Sequence, residues 1–257
     1  MTSSERAGSF DHYVQQYAAQ MDEPWADMLY QLLFAQLGQV LTPTMRSALT
    51  VGCGLGTTDR FLAEQGLAVT GTDIAPAMVE FSARQAAEAG LAITYRVQDA
   101  MTARFDQPFD LIVCHNVLEY VDLPEFVIAN LATSLRSDGL LSLVLHNPTA
   151  KVLKAAVFNQ DPERALALLD QREFHYELMN KSARAYTLKE AVNWLHLCGL
   201  EVVEHFGVRT LYDLIPNQPK YDPAWHQQAL KMELELSKRS PFQEIAMFHH
   251  LIARKKG

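Results

Sequence analysis

The spacing of apolar and polar positions changes several times along this chain of 257 residues. Residues 10–22 read as helical. Residues 25–41 read as an amphipathic helix: Trp25, Met28, Leu29, Leu32, Leu33, Leu37, Val40 and Leu41 share one face, and Pro43 closes it. From Ala48 onward, short apolar runs alternate with helical segments. The pattern predicts strand 47–51, helix 57–65, strand 68–72, helix 76–89, strands 93–97 and 109–114, helix 123–136 and strand 140–146. Alternation of this kind predicts an α/β fold, a parallel sheet covered by helices on both faces. Past Pro148 it stops, and residues 149–180 carry helical patterns with no obvious strand. Helix 187–198 (stopped by Gly199), strand 201–208, helix 224–238 and a last strand over 244–253 follow. The expected division is an N-terminal helical cap at 1–45 and one domain at 46–257, with a helical insertion at about 148–186. An insertion just past a strand's C-terminal end lies over the ligand crevice of such sheets, so 148–186 is expected to form a lid or substrate wall.

The turn after the first strand, Val51-Gly52-Cys53-Gly54-Leu55-Gly56, is the strongest chemical signal. Glycines on alternate positions let a ligand approach the backbone, because no Cβ intervenes. The helix that follows presents unpaired N–H groups and a positive dipole end. The spacing is G-x-G-x-G; the third place of a dinucleotide fingerprint falls on Thr57. The next apolar run, Leu67 to Thr72, ends at Asp73, 21 residues past Gly52. An acid at that strand tip is placed to accept hydrogen bonds from both hydroxyls of a ribose. Asp73-Ile74-Ala75-Pro76 also reads as a helix start, so a capping role is the alternative. Val97-Gln98-Asp99-Ala100 ends the third strand. There Asp99 is placed to accept from an adenine amino group while Ala100 donates its N–H to the ring; an ordinary turn aspartate is the alternative. His115 and Asn116 end the fourth strand at the crevice, as a satisfied pair or as functional groups.

Composition narrows the class. Apolar residues make up 49% of the chain, enough for a sizeable core, and no apolar run nears the ~18 residues of a membrane span. The polar stretch Met1 to Ser9 predicts a cytoplasmic protein. Cys53, Cys114 and Cys198 lie far apart, which predicts reduced thiols, and the nine histidines lack metal-site spacing, so no metal is expected. The net charge of −8 argues against a generic nucleic-acid coat. It is unevenly spread: residues 1–45 hold one arginine against five acids, whereas 148–189 hold seven lysines and arginines against five acids. The basic stretch serves solubility or binds an anion.

Gly52-x-Gly54-x-Gly56, Asp73, Asp99 and the Phe109-Asp110 strand resemble the class I S-adenosylmethionine-dependent methyltransferases over roughly residues 47–146. That resemblance implies a Rossmann-like, mostly parallel seven-stranded sheet whose last strand is antiparallel. It also implies S-adenosyl-L-methionine as cofactor, held by Gly52, Gly54, Gly56, Asp73, Ile74, Asp99, Ala100 and His115. One departure is Thr50, standing where the family usually has an acid two places before the first glycine. A longer set is similar to the bacterial tRNA carboxymethoxyuridine methyltransferases: Phe10-Asp11, His115-x-Val117-Leu118-Glu119-Tyr120-Val121, Leu143 to Asn147, Gly207-Val208-Arg209 with Asp213, Leu234-Glu235, Pro241-Phe242 and His250-x-x-Ala253-Arg254-Lys255. It implies a wobble-uridine carboxylate as acceptor. A small-molecule acceptor, with O- or N-methylation, and a catalytically silent binder of adenosyl ligands are the alternatives.

Methyl transfer from a sulfonium is an in-line displacement, so the protein has to align the acceptor and exclude water. A carboxylate acceptor is ionised at neutral pH and needs no base, but it needs an anchor. Arg209 is the candidate anchor, with a pair to Asp213 as its alternative; Tyr212 and Asn147 are candidate lining residues. For a hydroxyl or amine acceptor, His115 is the expected base and His146 the next.

Overall fold

A computed structural model describes residues 13–176 and 181–256. The Phe10-Asp11 motif and the first part of the helix expected at 10–22 lie outside them. The chain begins with α1 (Val14–Ala19) and α2 (Pro24–Val40). It then alternates through β1 (Ser47–Val51), α3 (Thr57–Glu64), β2 (Ala68–Asp73), α4 (Pro76–Glu88), β3 (Thr94–Val97), β4 (Phe109–His115), α5 (Pro124–Thr133) and β5 (Leu135–His146). These seven strands, with β8 (Leu200–Val208) and β9 (Phe248–Lys255) included, form one sheet in the order β3-β2-β1-β4-β5-β9-β8. The first five pair in parallel, and β9 runs antiparallel to both of its neighbours, β5 and β8. The expected Rossmann-like sheet with an antiparallel last strand is thus present.

Strict alternation along the central strands sorts the core into two layers. Leu49, Val51, Ile112, Cys114, Leu141 and Leu143 face α5 and α8 (Leu188–Leu197), meeting Val127, Ile128, Leu131 and Leu195. Ala48, Leu111, Val113, Leu140 and Ile252 face the other way, against Leu62 of α3. On that second side α2 lays Met28, Leu32 and Leu33 against Val144, Val208 and Phe248. The amphipathic helix therefore closes one face of the sheet and forms one wall of the cavity described below.

Between β5 and α8 lie α6 (Pro148–Leu153), a π-helical turn at Lys154–Phe158, α7 (Pro162–Leu168) and a hairpin of β6 (Glu173–Tyr176) with β7 (Lys181–Arg184). The hairpin corrects the expectation of 149–180 without a strand. Its strands are four residues each, too short for the alternation of Phe174 and Tyr176 to register as a period. The last strand also starts later than expected. Phe242–Ile245 is a short helix, α10, and its end is tied down by the Asn147 side chain, which donates to the Glu244 and Ala246 carbonyls at 2.8 and 2.9 Å.

Helix α9 (Pro223–Leu236) carries the buried Glu233, whose carboxylate accepts from the backbone N–H groups of Thr210, Leu211 and Tyr212 at 2.6–2.8 Å. This clamp shapes the loop after β8, where Arg209 holds a left-handed backbone at φ 58°. Glu233→Ala is expected to leave these N–H groups without acceptors and to lower stability by about 3 kcal/mol, read as a shift of the urea midpoint.

Candidate active site

The C-terminal ends of the parallel strands open into a cavity of about 700 Å³. The glycine turn forms its floor. Gly52, Gly54 and Gly56 all hold positive φ, at 67°, 54° and 70°. They do so for different reasons. A Cβ on Gly52 would sit 2.3 Å from Val117 Cγ2, and one on Gly56 2.7 Å from Tyr95 Oη; one on Gly54 would meet nothing nearer than Tyr17, at 3.8 Å. Gly52 and Gly56 thus serve the protein's own packing, while Gly54 leaves room on the cavity side. The turn is fixed from two directions: Gly54 N–H donates to Asp73 Oδ2 at 3.0 Å, and Ser82 Oγ donates to the Gly54 carbonyl at 2.7 Å.

Asp73 also accepts from Ala75 N–H at 2.9 Å, which turns the chain ahead of α4; the N-cap of that helix is Ala75 and takes no side-chain bond, so Asp73 does not cap it, and the same carboxylate braces the glycine turn. Ile74, Asp99, Ala100 and His115 line the cavity with it. Asp99 Oδ1 takes Met101 N–H at 2.9 Å, which curls the turn after β3 against the floor.

His115 belongs to a hydrogen-bonded series. Its Nε2 lies 2.7 Å from Ser142 Oγ, which lies 2.8 Å from His250 Nε2; His250 Nδ1 lies 2.7 Å from Gln36 Oε1, and Gln36 Nε2 donates to the Gly207 carbonyl at 3.1 Å. The carbonyl only accepts, so it orients every member. The Gln36 oxygen faces His250, whose Nδ1 therefore carries the proton. Burial holds His250 well below the ordinary histidine range, so its neutral Nε2 accepts from Ser142. Ser142 in turn accepts from His115 Nε2–H. His115 is pushed down to about 3 by burial, and its Nδ1, which has no protein partner, is left as a bare lone pair.

The opposite half of the cavity is basic. Lys151, Lys154, Arg164, Arg209 and Lys220 line it, with Asp213 as their one acidic companion among the lining residues there. Arg209 donates to both Asp213 oxygens at 2.7 and 2.6 Å and to the Trp25 carbonyl at 3.2 Å. Both residues are nearly buried, so this is an internal pair that lines the cavity. Lys151 is pushed down to about 7 by desolvation, and Lys154 adds repulsion; Lys220 falls to about 8, chiefly from burial. Glu119, fully buried below His146, accepts from the His146 N–H at 2.7 Å and is raised to about 7 by its burial. His146 borders the cavity between Phe174 and Phe248 and is held far below the usual range by burial.

Two expected lining residues are elsewhere. Asn147 caps α6 through Thr149 N–H and bonds the α10 carbonyls, so its amide is fully used behind the wall. Tyr212 is buried in the core, its hydroxyl 3.2 Å from His226 Nδ1. In their place the structure brings Lys151, Lys154, Lys220, Tyr30 and the buried Asp59 to the cavity. The positive balance of 148–189 was the one signal for the first two.

The profile of a methyltransferase-domain family matches residues 49–141, the stretch from β1 to β5 that carries the glycine turn. The ubiquinone biosynthesis O-methyltransferase of Xanthomonas axonopodis pv. citri (strain 306) is 31% identical over 170 residues, which cover 65% of this chain and 68% of that protein. The chain belongs to the S-adenosylmethionine-dependent methyltransferases. The enzyme of the same name from Xanthomonas euvesicatoria pv. vesicatoria (strain 85-10) is 32% identical over 162 residues, or 62% of this methyltransferase and 64% of its relative. The match thus spans just under two thirds of that relative's length. The N-methyltransferase NodS of Bradyrhizobium japonicum, solved with S-adenosyl-L-homocysteine, shares the fold over 98% of both chains at TM-score 0.61 and 15% identity. The cofactor is S-adenosylmethionine, and the room beside Gly54 together with the cavity's acidic residues fits an adenosyl cation. Among the described residues of this methyltransferase no helix is long and apolar enough to cross a membrane, and no cluster of three metal-ligating side chains occurs.

The glycines separate by experiment. Gly52→Ala is expected to cost about 2–4 kcal/mol of stability, from its φ and its clash with Val117. Gly54→Ala should cost about 1–2 kcal/mol, yet weaken S-adenosylhomocysteine binding about tenfold or more, because its methyl enters the cavity. Thermal melts and calorimetric titration read the two effects.

Proposed function

We propose that the enzyme methylates an acidic oxygen of a small anionic molecule. The observation that carries this reading is the cluster of cations facing the cofactor half of the cavity. Cations gathered in a half-buried wall repel one another and lose hydration, and an anionic ligand relieves both costs. The name O-methyltransferase borne by the relatives supports oxygen as the acceptor atom.

When bound, the cofactor supplies a methyl group on a sulfonium, which passes in line to the acceptor. The glycine turn, Asp73, Ile74, Asp99 and Ala100 hold its adenosyl part, and His115 borders the centre of the cavity. Lys151, Lys154, Arg164 and Lys220 hold the acceptor's negative charge. Arg209, committed to Asp213, adds its field and fixes the wall. His115 stays neutral at pH 7, and its Nδ1 takes a proton if the acceptor oxygen carries one. A base this weak suits a phenol or a carboxylic acid better than an alcohol. The free thiols of the described residues fit a cytoplasmic setting.

A carboxylate on a tRNA wobble uridine satisfies the same cation cluster, and the resemblance in the C-terminal third supports that acceptor. Against it stand Asp22, Glu23 and Asp27 beside the cavity wall of α2, which would repel a polyanion. Incubation with methyl-tritiated cofactor, fractionated cell extract and bulk tRNA separates the two. Label is expected among acidic small molecules; label confined to tRNA would overturn the proposal.

The lysines also set a pH dependence. An anion binds best while Lys151 is protonated, and in the free enzyme that charge is lost as pH rises through about 7. The acceptor KM is therefore expected to rise about tenfold between pH 6 and 8, since a single proton is linked to binding. Lys151→Met should flatten that profile in initial-rate measurements.

A further inference from the structure

Asp59 lies in the first turn of α3 and is fully buried, yet neither of its carboxylate oxygens has a hydrogen-bond partner. It borders the cavity beside Thr50 and stands over Gly71, where a Cβ would come within 2.6 Å of its Oδ2. The Thr50 and Tyr95 hydroxyls lie next to it and favour its charge, but neither is in bonding geometry and both are themselves left without partners. The nearest cation, Arg60, is turned aside: its Nη1 donates to the Leu55 carbonyl at 2.9 Å, and its Nη2 lies 3.5 Å from Thr57 Oγ1. An uncompensated carboxylate in a core is among the costliest arrangements a fold tolerates. It is kept where a ligand supplies what the protein withholds.

We propose that Asp59 is the counter-charge for the α-ammonium group of the cofactor's methionine part. The ligand chemistry follows from the vacancy. A neutral donor would satisfy one lone pair and leave the charge unbalanced; an ammonium brings both a full positive charge and three donors. The other acids at this end, Asp73 and Asp99, sit at strand tips and already accept loop N–H groups, as suits residues that grip neutral ribose and adenine donors. Of these three acids, Asp59 alone lies in a helix, the first turn of α3, with its oxygens unused. Burial raises it to about 6 in the free protein, so near neutral pH it is an anion awaiting a partner.

The test compares two ligands that differ in the charged group. S-adenosylhomocysteine carries the amino-acid part; 5′-methylthioadenosine keeps adenosine and sulfur but lacks it. Calorimetry with Asp59→Asn is expected to show at least a tenfold loss for the first and less than a twofold loss for the second. Equal losses, or none, would overturn the assignment. The double variant Thr50→Asp with Asp59→Thr moves the carboxylate across the same gap and should restore most of the lost affinity. The unaltered protein gives a reading that needs no variant. Between pH 5 and 7, affinity for S-adenosylhomocysteine should rise as Asp59 ionises, among Arg60, Asp73, Cys53, Tyr30 and Tyr95, while that for methylthioadenosine stays flat. Parallel pH profiles for the two ligands would count against the proposal.

Discussion

The left-handed backbone of the glycine turn is the constraint on which the site rests. Three alternate positions hold a conformation that L-residues avoid, and their neighbours are built to that shape: Val117 fills the space over Gly52, Tyr95 and Ser82 the space over Gly56, and Asp73 ties Gly54 from the next strand. The turn is thereby braced by the protein's own contacts, with no ligand needed to close it. Because Val117 follows directly on His115 and Asn116, the same packing that shapes the cavity floor also places the end of β4.

Charge is divided across the cavity. Acids occupy the strand tips and the first turn of α3, and cations occupy the insertion and the loop after β8. If the acceptor is the anion proposed above, this division would draw it and the adenosyl cation to different ends of the cavity. The insertion contributes Lys151, Lys154 and Arg164, and Glu233 fixes the loop that carries Arg209. The cations of the cavity thus come from parts outside the 49–141 stretch that matches the family.

Much of the fold was legible because its strands are buried on both faces and read as apolar runs between helical periods. The glycine turn and Asp73 were legible because backbone conformation and strand tips leave local marks. The short β6–β7 hairpin was not, since four residues give too little pattern to distinguish from a helix. Asn147 and Tyr212 were misplaced because strand-end position alone does not say which way a side chain turns; the α10 carbonyls and His226 claim them. Asp59 left no mark either. In sequence it is an ordinary first-turn acid on a helix, the commonest place for one, and only its burial without partners distinguishes it.

The series from His115 through Ser142 and His250 ends on Gln36, in the helix ahead of the sheet, and on Gly207, near its far edge. The proton arrangement on His115, which lines the cavity, is therefore dictated by groups drawn from widely separated parts of the polypeptide. Until α2 has docked and β9 has slotted between its neighbours, nothing decides which ring nitrogen is bare. A chain with its sheet formed but its first long helix adrift would keep the glycine turn and lose the contact from Gln36 that sets the tautomer of the histidine series.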